Sequence, residues 1–348
     1  EASPPPHPPN QEIPMATSSY FGRNAFCAVA EEDTAYGTAD ETYTVKRPII
    51  SCSMLRALEK VPRPNLQVAG TNGLRKGHFI AKETCTGTLE LEATYDNIGY
   101  FIKRLMGTGS TNTSTTPNTH SYYLGDVPDI GTSLALQRGT DDNYELFEGV
   151  VMNVGTFSVA SGESMSLSLE MIAETGQTRK SSPGLSYADP TYEELILHND
   201  LTSVGLSWNS QNIELIDFEF KIENGLAERM RLGSTLTKKP VSSDYRTASC
   251  TVTFETDDAT YASFLADTQG DLFVEFSNAT RGGTGTSLRT VKFGLNEAYI
   301  ESFTDEVTET GLVTASVVFK GEANGTSALA LGASIDVQNQ NATGVHNG

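Results

Sequence analysis

Over residues 84–93 apolar and polar positions alternate strictly. Cys85, Gly87, Leu89 and Leu91 fall on one side, and Thr86, Thr88, Glu90 and Glu92 on the other. A period of two predicts a strand with one buried face and one threonine/acid face, in a sheet wetted on one side. The pattern returns 165 positions later, with Cys250, Val252 and Phe254 on one side and Thr251, Thr253, Glu255 and Asp257 on the other. The segments C-terminal to the two copies also match. Ile98, Phe101, Ile102 and Leu105 are spaced for a short helix over 95–105, and Tyr261, Phe264 and Leu265 repeat that spacing over 259–265. Asp96, and Asp257 or Asp258, stand where an acid complements a helix start. A strand-then-helix unit that occurs twice predicts an internal duplication.

The rest of the chain keeps the same order twice. Residues 1–14 are too proline-rich to pack, and Met15 looks like the natural start, so the first fourteen read as a processed leader or an expression remnant. A short apolar strand over 24–30 precedes an acidic turn closed by Tyr36-Gly37-Thr38. Residues 49–58 predict a strand that ends at Pro62 and Pro64. Residues 61–82 predict a long hairpin excursion carrying Arg63, Arg75, Lys76 and Lys82. Its counterpart over 224–245 carries Arg229, Arg231, Lys238 and Lys239. Each is either a solvated loop or a docking loop that meets an acidic surface on a neighbouring copy. Residues 107–120 predict a flexible surface loop that includes His120. The alternation of Met165, Leu167, Leu169 and Met171 with Ser166, Ser168 and Glu170 predicts a closing hairpin, matched by 299–321. The expected division is repeat 1 over 15–178, a linker over 179–212 holding the sole Trp208, repeat 2 over 213–322, and a C-terminal arm over 323–348 that orders only against a partner.

With 348 residues, 38% hydrophobic and 20% charged, the chain can bury the cores of two domains. Its net charge of −20 argues against holding nucleic acid by phosphate neutralisation. The four cysteines, Cys27, Cys52, Cys85 and Cys250, form no metal-like grouping with the five histidines, and buried reduced thiols are expected. No apolar run is long enough to span a bilayer, and no secretory signal is visible. Enzyme motifs are absent: there is no nucleophile elbow, zinc-protease helix, P-loop or dinucleotide fingerprint. His7, His78, His198 and His346 read as surface or structural residues. Glu90/Glu92 and Glu255/Asp257 lack the aromatic platforms of a glycosidase, and Asp141-Asp142 and Asp257-Asp258 lack the glycine-punctuated loop of an EF-hand. No catalytic, cofactor or metal site is expected; the chain reads as a structural protein.

These residues resemble a family, the tail tube proteins (major tail proteins) of long-tailed bacteriophages. The resemblance covers roughly residues 20–322. It rests on the opening Glu31-Glu32-Asp33-Thr34-Ala35-Tyr36-Gly37-Thr38 turn and on the closing pattern around Tyr299-Ile300-Glu301-Ser302-Phe303 and 311–322. It implies a mainly β fold: two tandem tail-tube-like β-sandwich/barrel domains, each with one flanking short helix and a long hairpin loop. It further implies a virion protein, made in the host cytoplasm, that polymerises as rings stacked head to tail into a hollow tube. Tape-measure, tail terminator and baseplate proteins are then partners, with no membrane. Thr86, Thr88, Glu90, Glu92, Thr251, Thr253, Glu255 and Asp257 are expected to line a lumen through which DNA passes during ejection without specific binding. The basic residues of the two hairpins are expected to contact the next ring. Duplication predicts a trimeric, pseudo-hexameric ring, the rival being a hexamer in which only one repeat forms the tube. Two alternatives from other classes are a secreted two-domain β-sandwich binding module for carbohydrate or a surface, and a different self-assembling virion or surface-layer component.

Overall fold

A computed structural model of the chain describes residues 25–32, 36–37, 45–62, 77–96, 98–114, 117–125, 132–137, 143–181, 194–208, 211–255, 269–284, 287–306, 314–323 and 332–339. The fold is mainly β with one α-helix among the described residues. In chain order the elements are β1 (Phe26–Glu31), β2 (Val45–Pro48), β3 (Ser51–Cys52), β4 (Leu55–Pro62), β5 (His78–Glu92), α1 (Ile98–Met106), β6 (Gly107–Asn112), β7 (Asn118–Leu124), β8 (Thr132–Gln137), β9 (Asn143–Ala160), β10 (Ser166–Ala173) and β11 (Thr175–Ser181). Next come β12 (Leu201–Trp208), β13 (Gln211–Ile213), β14 (Asp217–Glu223), β15 (Leu226–Arg229), β16 (Lys238–Ser242), β17 (Thr247–Glu255), β18 (Gly270–Ser277), β19 (Thr290–Glu306), β20 (Thr314–Lys320) and β21 (Ala333–Asn339).

All strand pairings are antiparallel. A broad sheet runs from β3 and β4, side by side on β5, through β10, β9, β14, β17 and β20 to β19. Two further sheets cover one of its faces. One has the order β2–β1–β8–β9–β11. The other has the order β6–β7–β21–β19–β18–β12–β13. Strands β9 and β19 each belong to two sheets. The bend in β9 falls at Gly149, with φ 65°, where an added Cβ would come within 2.9 Å of Glu174 Cβ and the Tyr36 ring. In β19 it falls at Glu297, with φ 44°. Strands turn such corners where one residue leaves the extended region.

Alternation produces the packing. Cys85, Leu89, Leu91, Leu167, Leu169, Phe157, Phe218, Phe220, Cys250, Val252, Phe254, Val317 and Phe319 are buried on the covered face of the broad sheet. They join one continuous core with Leu134, Leu136, Phe147, Val274, Phe276, Phe293, Ile335 and α1. Each fully buried Leu or Phe side chain is worth about 1.5–3 kcal/mol of transfer from water. Phe293 sits at its centre, its ring centroid 5.2 Å from those of Phe157 and Phe220 and 5.3 Å from that of Phe218.

The helix begins later than the spacing predicts. Tyr95 and Asp96 stand before it: the Tyr95 hydroxyl donates to Asp200 at 3.0 Å, and Asp96 takes Arg289 Nε at 3.0 Å. Its last carbonyls are capped from far along the chain. Asn224 Nδ2 donates to Leu105 O at 3.0 Å, and Arg246 Nη2 to Leu105 O and Met106 O at 3.0 and 3.1 Å. Gly107, with φ 93°, then ends the helix. The second helix expected over 259–265 lies outside the described residues.

Three stretches differ from expectation. Residues 107–120 are not a surface loop: Gly107–Asn112 pairs with β7, and His120 is buried on β7, its Nε2 3.1 Å from Asn339 Oδ1. Residues 179–212, expected as a linker, hold β12 and β13, and Trp208 is 1% exposed against Phe319. Residues 333–339 form a strand within the chain itself, inserted between β19 and β7. β6 pairs with the adjacent β7, but β7, β12 and β21 each pair with a strand from a distant part of the sequence, which supplies the pairing that local pattern lacks.

All four cysteines are free, and Cys27, Cys85 and Cys250 are buried. Burial is the main cause that pushes the thiols of Cys27 and Cys85 up to about 12, and it also raises that of Cys250. Thiolate is therefore scarce at neutral pH, and these three are expected to ignore maleimide in the native chain while the half-buried Cys52 reacts. Mass spectrometry after labelling should find one adduct natively and four in denaturant; native labelling at Cys85 or Cys250 would contradict the packing.

A polar sheet face as the candidate functional site

Except at one end, where Leu226 of β15 packs with Val151 and Ile172, the other face of the broad sheet carries no covering layer among the described residues. Thr86, Glu92 and Glu255 are exposed there, and Thr88, Glu90, Thr251 and Thr253 are half-buried among cross-strand neighbours. Asp257 lies outside the described residues. Register brings both copies of the motif into shared rows. One row runs Glu92, Ser166, Ser158, Glu219, Thr251, Val318, Ser302. The next runs Ser51, Glu90, Ser168, Thr156, Lys221, Ser249, Lys320. Another joins Thr88, Glu170, Val154, Glu223 and Thr247. The two stretches are thus parts of one continuous surface, with β9–β14 as the join between them.

Hydroxyls and carboxylates on this face satisfy one another. Ser51 Oγ donates to Glu90 at 2.7 Å, and the hydroxyls of Ser53 and Thr88, and of Ser158 and Ser166, lie 2.9 Å apart. Acids predominate: Glu90, Glu92, Glu170, Asp217, Glu219, Glu223 and Glu255, against Lys221 and Lys320. Lys221 hydrogen-bonds Glu223, which raises the lysine's pKa and lowers the glutamate's. Lys320 Nζ takes Glu301 at 3.0 Å, which likewise raises it. Both cations are therefore already neutralised by carboxylates, and the face as a whole presents hydroxyls and negative charge. Asp217, Glu219, Lys221 and Glu223 join the face without having been expected there. Their signal is the strict alternation of 217–223, whose apolar members Phe218, Phe220 and Ile222 are all buried.

Among the described residues no group of three or more His, Cys, Asp and Glu is arranged to hold a metal ion. No helix among them is long and apolar enough to cross a membrane.

Of the expected basic contacts, Arg63, Arg75 and Lys76 lie outside the described residues. Lys82 is paired with Glu228 on β15. The β15–β16 hairpin folds back along the first half, with Glu83 N donating to Thr235 O at 2.8 Å and Thr237 Oγ1 to Ala173 O at 3.1 Å. On that hairpin Arg231 is exposed, whereas Arg229, Lys238 and Lys239 are half-buried.

A family model described as phage tail tube protein matches residues 22–321. No curated protein gives a significant match.

Proposed function

The chain belongs to the phage tail tube protein family, and on that premise we propose that its polar sheet face lines the lumen of a tube built from rings of three chains. Membership makes it a structural, non-enzymatic component of the virion tail that assembles with itself and other tail proteins. The observation that carries the finer reading is the order of strands in the broad sheet. Its first half runs β4–β5–β10–β9 and its second β14–β17–β20–β19, so each position has a counterpart. The covering sheets agree, β2–β1–β8–β9–β11 against β13–β12–β18–β19–β21. This supports two tandem tube domains in one chain. Both contribute to the same open face, which favours three chains per ring over a hexamer with one half set aside as decoration.

Three such sheets give a barrel of about 24 strands. At about 4.8 Å per strand and a tilt of about 40° its backbone diameter is roughly 48 Å, a wet channel rather than a packed core. Closure also removes exposed sheet edges. Phosphates that pass within a Debye length of about 8 Å meet carboxylates and hydroxyls, so DNA slides without being held. Arg231 and Lys239, with Arg63, Arg75 and Lys76, are the proposed contacts to the acidic surface of the next ring. Lys82, already paired with Glu228, steadies the second hairpin from within the chain.

Cysteines placed at Thr86 and at Thr253, in a Cys52→Ser background, test the lumen. A maleimide on a long polyethylene glycol should modify both in the free chain and neither in assembled tubes, whereas a small maleimide still reaches them. Unchanged reactivity toward the bulky reagent after assembly would place this face on the outside.

A further inference from the structure

The two ends of the broad sheet carry its least covered strands. Among the described residues β4 pairs only with β5, and residues 299–306 of β19 pair only with β20. Every residue from Leu55 to Lys60 is exposed, including Leu55 at 60% and Leu58 at 39%. Leu58 pairs with Glu83, and Ile222 pairs with Ala248, 165 positions further on. Leu58 and Ile222 thus hold equivalent places, yet Ile222 is fully buried at 0%. The difference is the neighbour: β14 has β9 along its far edge, whereas no described strand lies along the far edge of β4.

We infer that β19 of one chain pairs antiparallel with β4 of a second copy, in the register the chain already uses between β9 and β14. The inference rests on the tube reading above and specifies its chain-to-chain seam. Register comes from the shared partners. Gly155 pairs with Leu169 on β10 and Asp305 with Ala315 on β20, while Leu169 and Ala315 pair with the equivalent residues Leu89 and Phe254. Gly155 and Asp305 are therefore equivalent. Gly155 faces Ile222 and Val154 faces Glu223, so Asp305 faces Leu58 and Thr304 faces Glu59 of the second copy. The edges complement each other in charge and shape. β4 brings Lys60 and β19 brings Asp305, while Arg56 and Glu301 are held within the chain by Glu83 and Lys320, and the half-buried Phe303 lies beside the place Leu58 would enter.

The seam differs from the internal join in one respect. Inside the chain, β21 reaches across to β7, so a covering sheet also spans the two halves. β11, which stands where β21 stands, has no pairing on its far side among the described residues. Among the described residues, the broad sheet is what the seam joins.

The test pairs Glu59→Cys with Thr304→Cys in a Cys52→Ser background. Directly paired strand residues lie within disulfide reach, and neighbours displaced by two do not. Mild oxidation of assembled protein should join chains to one another, ending at a closed three-chain species, only when both cysteines are present. Glu59→Cys with Ser302→Cys should give about a tenth of that yield or less. Tubes that form but cross-link equally through both pairs, or through neither, overturn the register and leave the tube reading standing. A wild-type chain that forms neither rings nor tubes with its tail partners sinks both. Leu58→Asp supplies a second readout. Its side chain is exposed in the free chain, so circular dichroism should not change, while the concentration needed for assembly rises about tenfold or more. Unchanged assembly would overturn the seam.

Discussion

Phe293→Ala destabilises the chain by about 4 kcal/mol, the middle of the range for a buried aromatic reduced to alanine. The ring comes from β19 in the second covering sheet and packs on Phe157 of β9, Phe218 and Phe220 of β14, and Phe276 of β18, the last at 6.3 Å in an edge-on contact. Those neighbours are fixed by strand pairing on either side of the β9–β14 join, so they cannot collapse into the space the ring leaves. The cost is therefore the lost transfer energy plus an unrelieved cavity. Urea denaturation monitored by circular dichroism reads it as a fall in the midpoint. A change below about 1.5 kcal/mol, the cost of a volume-conserving swap, would mean that the halves do not meet around this residue.

The second large effect is polar. Asp200→Ala costs about 3 kcal/mol, because it breaks a buried ion pair and leaves its partners unmatched. The carboxylate is 0% exposed and accepts from Arg281 Nε at 2.6 Å, Arg281 Nη2 at 2.8 Å, the Tyr95 hydroxyl at 3.0 Å and Leu197 N at 3.0 Å. Arg281 is 29% exposed and keeps Glu194 at 3.3 Å, which holds the loss below that of a fully stranded cation. Asp200→Asn should fall between, since an amide oxygen still accepts from Tyr95 and Leu197. Equal losses for the two variants would show that charge plays no part, and a loss under about 1 kcal/mol for alanine would place Asp200 in a solvated pair.

These two sites show what local pattern carries and what it does not. The period of two over 84–93 and 249–255 was legible because one face is all apolar, and the core buries those residues. The polar face was legible by the same alternation, but its continuity was not, since the rows depend on β9 lying against β14, a join between residues about 60 positions apart that no local pattern encodes. Tyr95 and Asp96 look like a first helical turn until Asp200 and Arg289 claim their side chains. Gly107–Asn112 offers glycine, serine, threonine and asparagine with no apolar residue to alternate, and is a strand only because β7 and, beyond it, β21 extend the sheet. In β12 the alternation is broken by Gly205, with φ 60°, and a register shift between Leu201 and Leu206. Trp208 then looks isolated in sequence although it is packed in the core. The likeness of 84–92 to 249–255 was legible as a recurring strand; the matching strand orders of the covering sheets were not, because their strands alternate too weakly for local pattern to pair them.

The measurement that tests the lumen assignment most directly is electron cryomicroscopy of tubes assembled from this chain. The expected map shows rings of three chains with pseudo-sixfold symmetry and the β5 and β17 hydroxyls and carboxylates facing the channel. A map with those side chains on the outer wall, or with only one half of each chain in the barrel, contradicts it.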